Sequence, residues 1–152
     1  MTCSIAKPAD CLHVFELSND PVVRSVSFDS DVIVYSDHEK WFEARLKDPS
    51  CLFLVFYELN ALVAQVRFSK IDTISVRISI SVSSAFRNKG LGLIIMQEAI
   101  SQLRAIWTVS KIKAMVKSDN EASNIFFIKA GYYYFEKERY KGCECNVYYY
   151  NL

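Results

Sequence analysis

Hydrophobic and polar residues alternate strictly between residues 74 and 82. One set of alternate positions is apolar and the other is polar: Ile74, Val76, Ile78, Ile80 and Val82 against Ser75, Arg77, Ser79 and Ser81. Side chains along a β-strand point to its two faces in turn, so this pattern predicts a strand with one apolar face. The segment CLFLVFY (51–57) is apolar throughout and predicts a strand buried on both faces. A tight polar connection at 58–60 leads into a third strand, ALVAQVRF (61–68).

Apolar residues at helical spacing predict two helices in the second half of the chain. In LGLIIMQEAISQLRAIW (91–107) the residues expected to face the core are Leu93, Met96, Ile100 and Leu103. The segment NEASNIFFIKA (120–130) predicts the second helix, with Gly131 at its C′ position. Three further strands are predicted from KIKAMV (111–116), YYYFEKE (132–138) and ECNVYYY (144–150).

The first fifty residues are predicted to be mainly helical. In SDHEKWFEARLKDPS (36–50), Ser36 and Glu39 have the spacing of a capping box, and Asp48-Pro49 ends the helix. His38 would then be a surface residue of the capped turn, and CLHVFEL (11–17) could form a short helix. The resulting order of helices and strands predicts one mixed α/β domain over residues 1–152, with helices packed on a central sheet.

Composition narrows the class of protein. Hydrophobic content of 51% and charged content of 23% are typical of a globular chain, and a net charge of +1 gives no sign of nucleic-acid or membrane-surface binding. The sequence contains no signal peptide and no run long enough to span a bilayer. The five cysteines are irregularly spaced, which favours reduced thiols and argues against a zinc site. We therefore expect a soluble, cytoplasmic protein without a metal.

Two of the four glycines lie one residue apart in RNKGLG (87–92), between a predicted strand and a predicted helix. Free backbone N–H groups and the positive end of a helix dipole make such a junction an anion site, and Arg87 and Lys89 add charge. The dinucleotide pattern GxGxxG fails because Ile95 replaces its third glycine, and GxxxxGK[ST] is absent. A turn whose glycine serves only helix–sheet packing is the alternative.

The segment RNKGLG resembles the (R/Q)-x-x-G-x-(G/A) loop of the GCN5-related N-acetyltransferase (GNAT) superfamily, which binds the pyrophosphate of acetyl-CoA. NEASNIFFIKAGY (120–132) is similar to that superfamily's N-x-x-(A/S)-x-x-x-(Y/F)-x-x-x-G-(F/Y) helix along the pantetheine arm. The resemblance implies a mostly antiparallel sheet of six or seven strands, splayed between strands 4 and 5. It also implies acetyl-CoA as co-substrate, bound by Ser81, Val82, Arg87, Asn88, Lys89, Gly90, Leu91, Gly92, Asn120 and Phe127.

The same resemblance implies direct attack of an amine on the acetyl thioester, with no covalent enzyme intermediate. Main-chain N–H groups near Ser81 and Val82 would bind the carbonyl oxygen. Phe127 stands where the superfamily usually has a tyrosine proton donor, so Ser123 is the favoured donor, with Tyr132 as the fallback. Arg77 stands where a glutamate base often occurs. Either an ordered water takes the proton, or Arg77 pairs with an anion on the acceptor, or Arg77 is only a solvated strand residue.

The first half of the chain resembles acetyltransferases of pseudaminic and legionaminic acid pathways, in SNDPVVRSVSFDS, HEKWF, LKDPSCLFLV and AQVRF. The implied acceptor is a small amine, a nucleotide-linked 4-amino-4,6-dideoxy sugar. Residues expected to face it are Asn19, Arg24, Phe28, Trp41, Gln65, Arg67 and Arg77. Trp41 and Phe28 are alternatively plain core residues. Two functions compete with this one. The acceptor could be a peptide N-terminus, or the chain could be a non-catalytic module that binds acyl-CoA. The oligomeric state is left open, with a homodimer as one option.

Overall fold

Seven strands form one sheet in the computed structural model, which describes residues 1–152. The order across the sheet is β1-β2-β3-β4-β5-β7-β6. All neighbours are antiparallel except β4 and β5, which are parallel. The strands are β1 (Thr2–Ile5), β2 (Cys51–Glu58), β3 (Ala61–Lys70), β4 (Ser75–Val82), β5 (Lys111–Lys117), β6 (Tyr133–Tyr140) and β7 (Cys143–Asn151). The mixed α/β architecture predicted from the sequence is confirmed.

Five α-helices cover the two faces of this sheet: α1 (Cys11–Ser18), α2 (Pro21–Val26), α3 (Tyr35–Lys47), α4 (Leu91–Ile106) and α5 (Glu121–Lys129). A small core joins α1 and α3 to the sheet through Val14, Phe42, Phe53 and Val55. The larger core lies on the opposite face, under α4 and α5. No helix of the chain has the length and apolar character needed to cross a membrane.

Strand β2 supplies side chains to both cores, which explains its continuous apolar sequence. Phe53 and Val55 belong to the smaller core, whereas Leu52, Leu54 and Phe56 belong to the larger one. All five residues are buried. Because β2 is covered on both faces, neither set of alternate positions can be polar.

Strands β4 and β5 pair over only part of their length. Their pairing runs from Ser75 opposite Lys111 to Arg77 opposite Lys113, although β4 continues to Val82 and β5 to Lys117. Beyond that point β4 stays paired with β3, and β5 stays paired with β7. The two halves of the sheet therefore part, and the predicted splay is present.

Two local predictions were wrong, and one strand was not predicted. Ser36 and Glu39 form no capping box, because α3 begins at Tyr35 and the extended residue Val34 is its N-cap. Leu93 is 39% exposed, and Ile95 takes the expected place beside Met96 in the core. The N-terminal strand β1 was not predicted, since TCSI is short and mostly exposed and is ordered by pairing with β2.

Candidate active site

The loop between β4 and α4 presents free backbone N–H groups. After a short 3-10 turn (Ser84–Phe86), Asn88 and Gly90 adopt left-handed conformations with φ of 60° and 72°. Gly90 is the N-cap of α4, and no side chain caps the first turn of that helix. The first N–H groups of a 16-residue helix are thus available to a ligand.

The two glycines of this loop serve different purposes. Gly90 has a positive φ, and a Cβ atom built on it would meet nothing within 4 Å. A Cβ atom on Gly92 would lie 2.9 Å from Cε2 of Phe126 in α5. Gly92 therefore also allows the close packing of α4 against α5, in addition to its predicted place in the loop.

Positive charge lies beside the free N–H groups. Nε of Arg87 donates to the Val82 carbonyl at 3.1 Å, which holds this side chain against the end of β4. The Lys89 ammonium lies 5.3 Å from the ring centroid of Phe86. Neither residue takes part in an ion pair. Open backbone donors and two unpaired cations fit a diphosphate, as the resemblance implied.

Asp20 connects this loop to the N-terminal helices. Its carboxylate caps α2 by accepting from the N–H groups of Val22 at 2.8 Å and Val23 at 3.4 Å. The same carboxylate accepts from the Ser84 hydroxyl at 2.6 Å. The hydrogen bond from Ser84 lowers the pKa of Asp20 below its usual range. Sequence reasoning missed this residue, although an Asp before Pro21 is a recognisable N-cap signal.

The strand register shows which main-chain N–H groups face the splay. Ser83 donates its N–H to the Val63 carbonyl of β3 at 2.8 Å. Backbone groups alternate along a strand, so the N–H of Ser81 also points to β3, where Ser81 is opposite Gln65. The N–H groups of Val82 and Ile80 point towards β5, which has separated there. Of the two predicted oxyanion donors, Val82 has the suitable orientation and Ser81 does not.

Across the splay, the start of α5 brings Asn120 and Ser123 together. Asn120 is the N-cap and accepts from the Ser123 N–H at 3.2 Å. In return, Nδ2 of Asn120 donates to the Ser123 hydroxyl oxygen at 2.9 Å. Because that oxygen already accepts a hydrogen bond, its own proton is free to be donated to a ligand.

The other two aromatic candidates of this region lie in the core. Phe127 is 5% exposed and packs between Tyr132 and Tyr148. Tyr132 is 3% exposed, and its hydroxyl contacts the Met96 sulfur at 3.5 Å. Burial raises the pKa of Tyr132 far above its usual value. The geometry therefore favours Ser123 over Tyr132 as a proton donor.

A residue that sequence reasoning missed fixes α5 to the sheet. Nδ2 of Asn124 donates to the Lys117 carbonyl at 3.1 Å, and Oδ1 accepts from the Tyr148 hydroxyl at 2.6 Å and from Asn146 at 2.9 Å. Asn124 thereby joins β5, β7 and the helix that carries Ser123. An asparagine inside a helix has no sequence signal for such a role, because its partners are distant along the chain.

On the face of the sheet that carries α1 and α3, polar residues of β3 and β4 lie side by side. The register sets Gln65 opposite Ser81, Arg67 opposite Ser79, and Ser69 opposite Arg77. We call Gln65, Arg67, Arg77, Ser79 and Ser81 the polar floor. It starts beside Val82 and runs away from the splay along β4.

Arg67 occupies the middle of the polar floor. Its guanidinium carbon lies 4.7 Å from the Trp41 ring centroid and 5.6 Å from that of Phe53. One Nη donates to the Ser79 hydroxyl at 3.1 Å, while Nε is buried without a partner. Burial lowers the pKa of Arg67 to about 10, so the side chain remains charged at neutral pH. Trp41 thus contacts the polar floor and is only partly buried.

His38 is buried, contrary to the expectation of a surface position. It is 2% exposed, and its Nε2 lies 3.1 Å from the Cys11 carbonyl. The imidazole stacks on Phe42 and contacts Trp41. Burial lowers the pKa of His38, and the nearby Arg67 charge acts in the same direction. His38 is therefore a neutral packing residue behind Trp41.

Arg77, Phe28 and Tyr140 meet at the far end of the polar floor. The Arg77 guanidinium carbon lies 4.6 Å from the Tyr140 ring centroid and 6.0 Å from that of Phe28. The two rings are in edge contact at 5.0 Å. Interaction with Arg77 lowers the pKa of Tyr140. Sequence reasoning missed Tyr140 because only the tertiary fold brings the β6–β7 hairpin to the segment after α2.

Asn19 and Arg24 hold that segment in place. The Asn19 side chain donates to the Ile33 carbonyl at 2.9 Å and accepts from the Ile33 N–H at 2.8 Å. Arg24 donates to the Asp31 carbonyl at 3.1 Å, and its buried Nε has no partner. Both residues shape the chain that carries Phe28.

Comparison with known proteins places this geometry in context. The model of the acetyltransferase (GNAT) family matches residues 14–132. No curated protein sequence matches the chain.

Solved structures share the fold at low identity. The ribosomal-protein-alanine N-acetyltransferase of Brucella melitensis has a TM-score of 0.83 at 18% identity, over 100% of both chains. Spermidine N-acetyltransferase of Vibrio cholerae, solved with CoA and spermine, has a TM-score of 0.87 at 16% identity, over 99% of this chain and 94% of that chain. A Salmonella typhimurium protein solved with its cofactor acetyl-CoA has a TM-score of 0.79 at 20% identity, over 99% of this chain and 92% of that chain.

The family match covers most of the chain, and the seven-stranded splayed sheet and the uncapped, basic N-terminus of α4 agree with it. The chain therefore belongs to the acetyltransferase (GNAT) family and is an N-acetyltransferase that uses acetyl-CoA.

Proposed function

We propose that the acceptor is a small amine that carries negative charge, most specifically a nucleotide-linked 4-amino-4,6-dideoxy sugar. One observation carries this proposal: Arg67 and Arg77 lie on the polar floor, and neither has a carboxylate partner. The four ion pairs of the structure involve other residues. Both arginines rest on aromatic rings instead, and apart from the Arg67 Nη that donates to Ser79, their donors are available to an anion.

The spacing of the polar floor suits such a substrate. Residues two apart on a strand are separated by about 6.6 Å, so Arg67 is one such step from Gln65, and Arg77 is about 13 Å from Ser81. An amine placed beside Ser81 and Val82 would have its sugar ring over Gln65 and its phosphates within reach of the arginines. Phe28 and Tyr140 would then offer aromatic faces to the base.

A polyamine fits this floor poorly. Its ammonium groups would lie against two unpaired guanidinium groups, with no carboxylate among the floor residues to bind them. An extended peptide would have to pass the contact between Phe28 and Tyr140 at the far end of the floor, which makes it the less favoured acceptor. The Asn120–Ser123 pair matches the motif of ribosomal-protein-type enzymes, so a peptide N-terminus remains the second candidate.

The residues of this chain would act as follows. The Val82 N–H binds the thioester carbonyl oxygen as it gains negative charge. The amine lone pair forms the C–N bond while the C–S bond breaks. The sulfur takes a proton from the Ser123 hydroxyl, which regains one from solvent, and the new amide nitrogen loses its extra proton to water. Arg77, which is packed on two rings, binds an anion in place of the glutamate base.

Release of free thiol from acetyl-CoA tests the proposed acceptor directly. UDP-linked 4-amino-4,6-dideoxy sugars, N-terminal peptides and spermidine are supplied in parallel. We expect turnover with the sugars alone, because only they place phosphates at Arg67 and Arg77. Turnover with peptides or spermidine and not with sugars would contradict the acceptor assignment. Acetyl-CoA binding without turnover on any amine would indicate a non-catalytic module.

Removing a floor arginine should weaken acceptor binding. We expect Arg67→Met and Arg77→Met each to raise the acceptor KM about 10-fold to 100-fold, since a hydrogen bond to a charged group contributes about 1.5–3 kcal/mol. Arg104→Met, on α4 at the opposite face, is the matched control and should leave KM unchanged. Steady-state kinetics provide the measurement. An unchanged acceptor KM in both floor variants would show that the arginines bind no part of the acceptor.

Gly90 should be required for acetyl-CoA binding. An alanine at φ of 72° is strained by about 1–2 kcal/mol, and relief of that strain redirects the N–H groups at the start of α4. We expect Gly90→Ala to raise the acetyl-CoA Kd about 10-fold by calorimetry. Gly142→Ala imposes the same strain at φ of 75° in the β6–β7 hairpin and should leave this Kd unchanged. Equal effects of the two variants would refute a local role for Gly90.

Two variants distinguish Ser123 from Tyr132 as the proton donor. Ser123→Ala should lower kcat about 100-fold with little change in acetyl-CoA Kd, because the Ser123 N–H still completes the Asn120 cap. Tyr132→Phe removes only a weak contact with sulfur and should retain kcat. The opposite result, full activity in Ser123→Ala and loss in Tyr132→Phe, would assign the donor to Tyr132.

A further inference from the structure

One buried polar atom beside the splay has no hydrogen-bond partner. The Gln65 side chain is 5% exposed, and its Nε2 donates to the Ser18 hydroxyl at 3.2 Å. Its Oε1 is fully buried and unpaired. An unpaired carbonyl oxygen inside a protein is destabilising, and a methionine of similar size would avoid that penalty. The unpaired oxygen therefore points to a ligand that donates a hydrogen bond.

The position of Gln65 identifies the donor. Gln65 is directly opposite Ser81, and the next residue, Val82, directs its N–H into the splay. Neighbouring strands lie about 4.8 Å apart, so the Gln65 amide is one strand from the main-chain group that faces the reacting carbonyl. Ser18 holds the Nε2 end, which fixes the orientation of the amide. The Oε1 end is the end of the amide that is left for a hydrogen bond from a ligand.

We propose that Gln65 Oε1 accepts a hydrogen bond from the attacking amine and holds its nitrogen lone pair towards the thioester carbon. This inference rests on the proposed function only in requiring an amine acceptor that enters over the polar floor. It does not depend on whether that amine belongs to a sugar or a peptide.

The interaction strengthens during the reaction. As the C–N bond forms and the C–S bond begins to break, the nitrogen gains positive charge while it still carries its N–H protons. A hydrogen bond from a charged donor is stronger than one from a neutral amine, so Oε1 stabilises the transition state more than the ground state. A neutral amide oxygen is too weak a base to keep the proton, which leaves for water as before. Gln65 is thus a contact of the reacting nitrogen and not the base.

Gln65→Met separates this role from a structural one. We expect kcat to fall 10-fold to 100-fold with a smaller change in acceptor KM and no change in acetyl-CoA Kd. We expect the Tm to change little, because removal of the unpaired oxygen offsets the loss of the hydrogen bond to Ser18. If the role of Gln65 were purely structural, its replacement would lower the Tm of the protein. Gln102→Met in α4 makes the same chemical change away from the floor and should leave kcat at the wild-type value.

Ser18 provides a second pair of variants. Ser18→Ala leaves both ends of the buried amide without a partner, so Tm should fall and kcat should decrease several-fold. The double variant Ser18→Ala, Gln65→Met removes both polar groups, so its Tm should return to at least the wild-type value while kcat stays low. A kcat that follows Tm through all three variants would overturn the proposal, as would wild-type kcat in Gln65→Met.

The assay uses whichever amine of the panel the wild-type chain acetylates fastest. Turnover with a peptide and none with the sugars would refute the sugar acceptor, and the Gln65 variants would then be measured with the peptide. A decrease in kcat confined to the Gln65 and Ser18 variants would support the amine contact in either case. A wild-type chain that acetylates no amine would overturn both proposals.

Discussion

The early end of pairing between β4 and β5 is the constraint on which the site depends. Past Arg77 and Lys113 each strand keeps only one neighbour, and main-chain groups of β4 are left facing a gap. Unpaired backbone groups are unfavourable inside a protein, so this gap persists only because the elements around it hold the strands apart. The close contact of Gly92 with Phe126 joins α4 and α5, and Asn124 fixes α5 to β5 and β7. These contacts keep the Val82 N–H facing the gap, where the proposed mechanism places the thioester carbonyl.

The polar floor also contains groups that lack partners in the free protein, and here these groups are side chains. Arg67 is desolvated and lacks a carboxylate, and Gln65 has a buried unpaired oxygen. Aromatic rings under Arg67 offset part of the desolvation penalty, since the ring face is electron-rich. Groups that are incompletely satisfied in the free protein can gain their missing partners from a ligand, so part of the folding stability is exchanged for binding.

The local structure around the α4 loop and the start of α5 could be predicted from the sequence better than the structure around the polar floor, for a physical reason. The alternation of residues 74–82, the Gly90 turn and the Asn120 cap are local patterns, and each places its groups through its own strand or helix. The polar floor and the residues at its far end are assembled from distant segments. Tyr140 meets Phe28 only after the β6–β7 hairpin has folded against the segment that Asn19 and Arg24 hold. His38 looked like a surface residue because its burial depends on α1, which supplies the Cys11 carbonyl. The packing of Gly92 against Phe126 was not predicted because Phe126 is distant in sequence.

The arginine at the usual position of a glutamate base changes how the amine must be activated. A carboxylate near the amine would stabilise its ammonium form and would then have to remove a proton from it. The polar floor contains two guanidinium groups, two serines and one neutral amide, so it holds no negative charge that would stabilise the ammonium form. Positive charge nearby disfavours protonation of a bound amine, so a larger fraction binds as the neutral nucleophile. Under the proposed function, arginines that attract an anionic acceptor would therefore also reduce the need for a strong base, and water could remove the last proton.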